Sequence, residues 1–253
     1  MALRPFPLRG QKVATEAAAA AATNALIHSL IGPDGKLNSK GRRFSTPAYN
    51  REALRLVIQE ANTAAAQLHL PEKLPITEQD LTRVFISGYG MSLMWLGAIG
   101  NVHTRDYGYF VSVDHKLSFV EGAHQDQDRL EWAAHYRWPK SKLDKQVAYQ
   151  LATQWLAAAQ MDVIALNRDC HSRVELDSFT NSGKNSEEFV PIYEVFWESA
   201  QNREEGYGSV ASVTLFSPTR TLISLRVEDS RYIKRPPLVF TNLGALLSEG
   251  KRK

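Results

Sequence analysis

The feature that most constrains the fold is a pattern that occurs twice along the chain. Residues 49–121 show a helical run of apolar residues followed by four short apolar segments, the last two joined by a tight turn. Residues 143–229 show the same succession. Because a helix with one apolar stripe must cover an apolar sheet face, each half predicts a helix packed on an antiparallel sheet.

Three helices are predicted from composition and periodicity. Residues 15–30 hold an unbroken alanine run and end at a Gly-Pro-Asp-Gly turn, which indicates an alanine-rich helix. Residues 47–70 and residues 143–166 each carry apolar side chains at helical spacing, which predicts one continuous helix in each half.

The predicted strands are short apolar segments, some of which alternate apolar and polar side chains. In the first half, residues 93–99 predict one strand, and residues 107–113 and 117–121 predict a hairpin turned at Asp114 and His115. In the second half, residues 210–216 and 221–227 predict a hairpin turned at Ser217, Pro218 and Thr219.

We therefore predict an α+β protein with two tandem modules, each a helix plus a four-stranded antiparallel sheet. Two such modules can bury their open faces against each other or join their sheets edge to edge. The predicted boundaries are an N-terminal arm with the alanine-rich helix (1–46), the first module (47–122), a connection (123–141), the second module (142–235) and a C-terminal extension with a short helix (236–253).

Composition excludes several classes of protein. The net charge of +3 and the pI of about 8.9 are far from the concentrated positive field of a dedicated nucleic-acid binder. A single cysteine, Cys170, allows neither an internal disulfide nor a Cys/His zinc site. No apolar run is long enough to span a bilayer, and residues 1–11 lack the apolar centre of a signal peptide.

Several segments together carry a resemblance to a known group. The helix around residues 149–166, the strand at 192–197, the hairpin end at 224–229 and the closing Arg235-Pro236-Pro237 resemble uncharacterised secreted proteins of Verrucomicrobia-type bacteria. The folds of that group are similar to cystatin-like or PepSY-like α+β units. The resemblance is best over residues 143–253 and weaker over 49–121. It implies an extracytoplasmic protein with a binding or inhibitory role, and it assigns no site residue.

The best candidate binding surface lies in the connection between the two modules. It consists of Trp132, Tyr136, Arg137 and Trp138. Tryptophan and arginine concentrate binding energy at protein interfaces, and grooves form where modules meet. The alternative is that the aromatic side chains are buried and hold the connection against the modules.

Acidic and histidine side chains offer a second interpretation. His124, Asp126, Asp128 and Glu131 lie close together, and the three acids offer oxygen ligands for a divalent cation, although the same acids also suit the first turn of a helix. A hydrolase would use His103, Asp106, His124 and Asp128 at the module junction, and should bring at least two of them within hydrogen-bonding distance in one pocket.

Nucleic-acid binding is the third function considered. It requires the basic side chains Arg42, Arg43, Lys140, Arg231, Lys234 and Arg235 to gather on one face. We favour a non-enzymatic binding or structural protein that acts on a protein partner through the inter-module groove or an exposed sheet edge. No cofactor and no metal site is predicted, and the sequence specifies neither the partner nor the oligomeric state.

Overall fold

The structure of the 253-residue chain is a computed structural model that describes residues 46–86, 98–112, 117–177, 187–199 and 209–235. Residues 46–51 belong to one compact unit, and all the other described residues belong to a second. The predicted alanine-rich helix, the predicted turn at Asp114 and His115 and the C-terminal extension lie outside the described residues.

The described residues form four helices and ten strands. The helices are α1 (Pro47–Gln67), α2 (Gln125–His135), α3 (Lys145–Ala158) and α4 (Val163–Asp169). The strands are β1 (Arg83–Ile86), β2 (Ala98–His103), β3 (Tyr107–Ser112), β4 (Leu117–Gly122), β5 (Trp138–Pro139), β6 (Cys170–Leu176), β7 (Glu188–Phe189), β8 (Ile192–Ser199), β9 (Ala211–Phe216) and β10 (Thr221–Val227).

Eight of these strands form one sheet in the order β1-β2-β3-β4-β10-β9-β8-β6, and every neighbouring pair is antiparallel. The predicted α+β class is therefore confirmed, and these strands form one large antiparallel sheet. The last strands of the two halves meet in the middle, where Val120 of β4 lies opposite Leu225 of β10. The short strands β5 and β7 pair separately.

Helix α1 begins where a threonine hydroxyl accepts a hydrogen bond from a backbone N–H group. Thr46 Oγ1 accepts a hydrogen bond from Tyr49 N at 3.1 Å, as an N-cap residue does. The chain returns after the helix because the Asn62 amide bonds both backbone groups of Ile76, at 2.7 and 2.9 Å. In the larger unit, the helix buries apolar side chains at helical spacing: Ala53, Leu56, Val57, Ala61, Ala64, Ala65 and Leu68.

The prediction of one continuous helix over residues 143–166 is wrong, because the segment forms two helices. Asp144 caps α3 through Gln146 N and Val147 N. Gln160 then adopts a positive φ of 60°, which ends the helix. Asp162 starts α4 by accepting from Ala165 N at 3.1 Å.

Two further boundaries differ from the predictions. The connection over residues 123–141 contains helix α2, since the acids of its first turn suit the positive end of a helix. The second strand of the first half occupies Ala98–His103 rather than ending at residue 99, and residues 93–97 are outside the described part of the chain.

The two sheet faces in the second half are covered by different helices. Tyr193, Val195 and Trp197 of β8 are fully buried on the face of α3 and α4. Trp197 Nε1 donates to Asn167 Oδ1 of α4 at 2.8 Å. Strand alternation places Ile192 and Phe216 on the opposite face, where residues of α2 pack against them.

We predict that the contact between β4 and β10 dominates stability. Changing the fully buried Leu225 to alanine removes apolar contacts opposite Val120 and should lower the free energy of unfolding by about 2–5 kcal/mol. Urea unfolding followed by circular dichroism measures this change.

The matched control is Arg226→Ala at the next, exposed position, which should cost less than about 1 kcal/mol. Equal urea midpoints for the Leu225→Ala and Arg226→Ala variants would show that the contact between β4 and β10 is not critical for stability.

Candidate functional site

The site begins with the tight turn between β2 and β3. Thr104 N donates to Tyr107 O at 2.8 Å and closes the turn. The buried Thr104 hydroxyl accepts from Asp106 N at 3.1 Å and from Tyr107 N at 3.0 Å. A threonine that bonds its own turn in this way fixes the backbone, and hence the position of the Asp106 side chain.

Glu72 lies in the connection after α1, and its carboxylate stabilises this turn through hydrogen bonds. Its Oε1 accepts from Thr104 Oγ1 at 2.6 Å and from Tyr109 Oη at 3.0 Å. Burial raises the pKa of the Glu72 carboxyl, and repulsion from Asp106 and Asp80 adds to this, while the two hydroxyl donors oppose it. The turn is thus held by a carboxylate that is itself partly desolvated.

Helix α2 supplies the other wall. Ala123 N donates to Asp106 O at 2.8 Å, which ties the start of the helix to the turn. Asp128 and Trp132 lie four and eight residues after His124. Helical spacing therefore places them on the same side of α2. The Trp132 ring is stacked on Phe216 of β9, with centroids 4.2 Å apart and planes within 8°, which fixes its orientation.

These elements enclose a pocket of about 320 Å³, which we call the junction pocket. It draws residues from the first half, from α2 and from the start of β10 in the second half. The lining residues are Pro71, Asp106, Tyr107, Gly122, His124, Gln125, Asp128, Trp132, Thr221, Leu222 and Ile223. Its volume falls in the range of small-ligand sites in proteins.

The electrostatic environment of the junction pocket is acidic. Burial raises the pKa of the Asp128 carboxyl, His124 partly opposes this, and Glu131 and Asp106 add repulsion. Burial, followed by the charges of Glu72, Asp128 and Asp106, raises the pKa of Tyr107 to about 12. The phenol of Tyr107 is therefore protonated at neutral pH and available as a hydrogen-bond donor.

Three of the four residues considered for a hydrolase line the junction pocket: Asp106, His124 and Asp128. No hydrogen bond or ion pair joins any two of these side chains among the described contacts. His103 lies apart, with its ring edge-on to Phe110 at 5.5 Å and burial lowering its pKa. The site therefore gathers carboxylates and a histidine without pairing them.

Of the predicted binding residues, only Trp132 lines the junction pocket. Tyr136 packs edge-on against Phe216 at 5.1 Å. Arg137 donates from Nε to Ala133 O at 3.0 Å within the α2 segment. Trp138 pairs with Phe189 in the small sheet, and Lys142 Nζ lies 4.3 Å from its ring centroid. The four residues do not converge on one spot.

The side chains considered for a divalent cation, at the start of α2, do not form a metal site in the described residues. In the part of the chain that the structure describes, no group of three or more His, Cys, Asp or Glu side chains has the geometry to hold a metal ion. Asp126 is largely exposed and lies 3.9 Å from Arg129, which in turn binds the buried Asp177 at 2.8 Å.

Of the four basic residues considered for nucleic-acid binding that the structure describes, three have acidic partners. Arg231 pairs with Asp229, and Lys234 pairs with Asp162 at 3.2 Å. Arg235 is buried and bonds Glu60 and Gln67 of α1. Lys140 is exposed, and Arg42 and Arg43 lie outside the described residues.

Sequence reasoning missed part of the pocket. Glu72 and Thr104 gave no signal in the sequence, because the hydrogen bond between them joins residues 32 positions apart in the chain. Thr221, Leu222 and Ile223 read only as the start of a strand, and nothing local relates them to α2. The Thr-Arg-Asp-Tyr sequence at residues 104–107, between two apolar segments, is a local signal that could have indicated this turn.

Comparison of the chain with protein-family models, with curated proteins and with solved structures found no match. None of the helices in the described segments has the length and apolar character needed to cross a bilayer.

We predict that the acceptor oxygen of Glu72 matters more than its charge. Glu72→Ala leaves the Tyr109 hydroxyl without its acceptor and the Thr104 hydroxyl with only the longer contact to Tyr107 O at 3.2 Å, so it should cost about 1–3 kcal/mol in unfolding free energy. Glu72→Gln keeps an acceptor and removes a desolvated charge, so this variant should be at least as stable as the wild type at neutral pH.

The pH dependence gives an internal check. Since the folded-state pKa of Glu72 is raised, the native state binds the extra proton, and the wild type gains stability relative to Glu72→Gln as pH falls through that pKa. Urea titrations across the acidic range measure this difference. If the difference in unfolding free energy between the wild type and Glu72→Gln grows as the pH falls, the prediction is wrong.

Proposed function

We propose that this chain is a non-enzymatic binding protein whose junction pocket receives part of a protein partner. The observation that carries the proposal is the position of the pocket, between the turn of the first half, helix α2 and the start of β10. A concave site with apolar, aromatic and charged walls at the meeting point of two substructures is typical of binding sites.

The contacts of the lining residues support binding rather than chemistry. A nucleophile or general base is normally held by a hydrogen bond to its catalytic neighbour, and none joins Asp106, His124 and Asp128 in the described contacts. Trp132 lines the pocket and is fixed by Phe216, and a rigid aromatic side chain loses little entropy when a partner binds.

We further infer that the scaffold consists of two modules of the cystatin-like or PepSY-like kind, joined edge to edge. The support is the strand order: the first half contributes one helix and then four sheet strands, the second half contributes two helices and then four sheet strands, and the final strands β4 and β10 pair. Joining the modules in this way removes two exposed strand edges.

Filling the pocket should block partner capture. Gln125 is half-buried at the start of α2 and lines the pocket, so Gln125→Trp places an indole in the space that the partner needs. We expect the affinity for a partner captured from the source organism at low salt to fall about tenfold or more. Isothermal titration with the purified partner measures it.

The matched control is Gln127→Trp, which makes the same substitution at an exposed position of the same helix, outside the pocket lining. This variant should bind as the wild type does. Equal loss of binding in both variants, or recovery of no specific protein by the wild type, would overturn the proposal.

A hydrolase is the second candidate, favoured by the gathering of Asp106, His124 and Asp128 in one pocket. An aspartate with a raised pKa can act as a general acid, with the other carboxylate or the imidazole as the base that activates water.

If the protein hydrolyses any member of a panel of chromogenic esters, glycosides and phosphates, Asp128→Asn should lower kcat/KM by about 10²–10⁴-fold. The activity should also decline as pH rises through the Asp128 pKa, because the acid form is lost. Asp126→Asn, in the same helical turn but outside the pocket lining, serves as the control. Activity that survives Asp128→Asn rules this site out.

A further inference from the structure

We propose that the group received by the junction pocket is the cationic end of a lysine or arginine side chain of the partner. This inference rests on the proposed function, which it deepens by naming the chemistry of the bound group. It follows from the charge, the unpaired acids and the walls of the pocket.

The pocket is lined by negative charge with little to balance it. Asp106 and Asp128 both line it, and Glu72 and Glu131 act on them from nearby. None of the lining residues is a lysine or an arginine, and His124 is the one lining side chain that can carry positive charge. A cation entering this space is therefore attracted by the carboxylates that line it.

The two pocket aspartates differ from the others in the described part of the chain. The other aspartates there have a hydrogen-bond or ion-pair partner: Asp80, Asp126, Asp144, Asp162, Asp169, Asp177 and Asp229. Asp106 uses its backbone oxygen to bind Ala123 N, but among the residues that the structure describes its carboxylate has no hydrogen-bond or ion-pair partner. The same holds for the carboxylate of Asp128, so both can accept bonds from an incoming donor.

The remaining walls suit a long basic side chain. Trp132 provides an indole ring, and ammonium and guanidinium groups are attracted to such rings. Pro71, Leu222 and Ile223 add apolar surface for the methylene groups of lysine or arginine. A bare metal ion would leave these apolar walls uncovered, and the described carboxylates do not form a metal-ligand set.

The test uses three capped pentapeptides, acetyl-Gly-Gly-X-Gly-Gly-amide, in which X is lysine, arginine or norleucine. Binding to the full chain is followed by amide chemical shifts in two-dimensional NMR. We expect the lysine or the arginine peptide to shift resonances around the pocket, and the norleucine peptide, which keeps the alkyl stem but lacks the charge, to bind at least about tenfold more weakly.

Charge variants locate the interaction. Asp106→Asn with Asp128→Asn keeps the size of both side chains and should weaken binding of the cationic peptide by about tenfold or more. Asp126→Asn removes one charge from the same helical turn, on a side chain that is 86% exposed, and should leave binding unchanged. A one-dimensional spectrum of each variant confirms that it is folded.

The outcomes separate this inference from the proposed function. The inference of a cationic group is wrong if the norleucine peptide binds as tightly as the lysine peptide. It is also wrong if the double variant and Asp126→Asn lose the same amount of affinity for the cationic peptide. Butylammonium serves as a free-amine probe. If it binds while none of the peptides does, the pocket takes a free amine and the inference of a partner's side chain is wrong. If the cationic peptides fail while Gln125→Trp still blocks partner capture, the inference is wrong and the proposed function stands.

Discussion

The rest of the structure depends on the antiparallel pairing of β4 with β10. This seam has three residue pairs, and at its centre the fully buried Val120 and Leu225 face each other. It turns two sets of four strands into one sheet and leaves β1 and β6 at the edges. The junction pocket exists because the seam brings the start of β10 beside the β2–β3 turn, so its lining comes from segments more than 100 residues apart.

A second constraint lies in the turn that carries Asp106. Thr104 is buried and bonds the turn on one side and Glu72 on the other, so the geometry of the turn depends on a carboxylate that burial makes harder to ionise. Desolvated acids cost stability unless they are well bonded. Glu72 is bonded in this way, whereas the carboxylates of Asp106 and Asp128 have no hydrogen-bond or ion-pair partner within the described contacts. This contrast separates the acid that supports the site from the acids that are available to a ligand.

Predictions from the sequence succeeded where local periodicity decides the structure. Strand alternation located the β9–β10 hairpin almost to the residue, and the apolar stripe located α1. They failed at the boundary between α3 and α4, since Gln160 adopts a positive φ that its residue type does not signal. They also grouped Trp132 with Trp138 because these residues are neighbours in sequence, whereas the Trp132 ring stacks on Phe216 of β9 and the Trp138 ring lies beside Lys142.

The sequence by itself determined the α+β class and the presence of acids and a histidine near the connection. Each of these follows from side-chain spacing along a single segment. Only the tertiary structure decided that the two halves share one sheet and that Asp106, His124, Asp128 and Trp132 line one pocket while His103 does not. The physical reason is that strand partners and pocket walls come from contacts between segments far apart in the chain, and side-chain periodicity carries no information about which edges will meet.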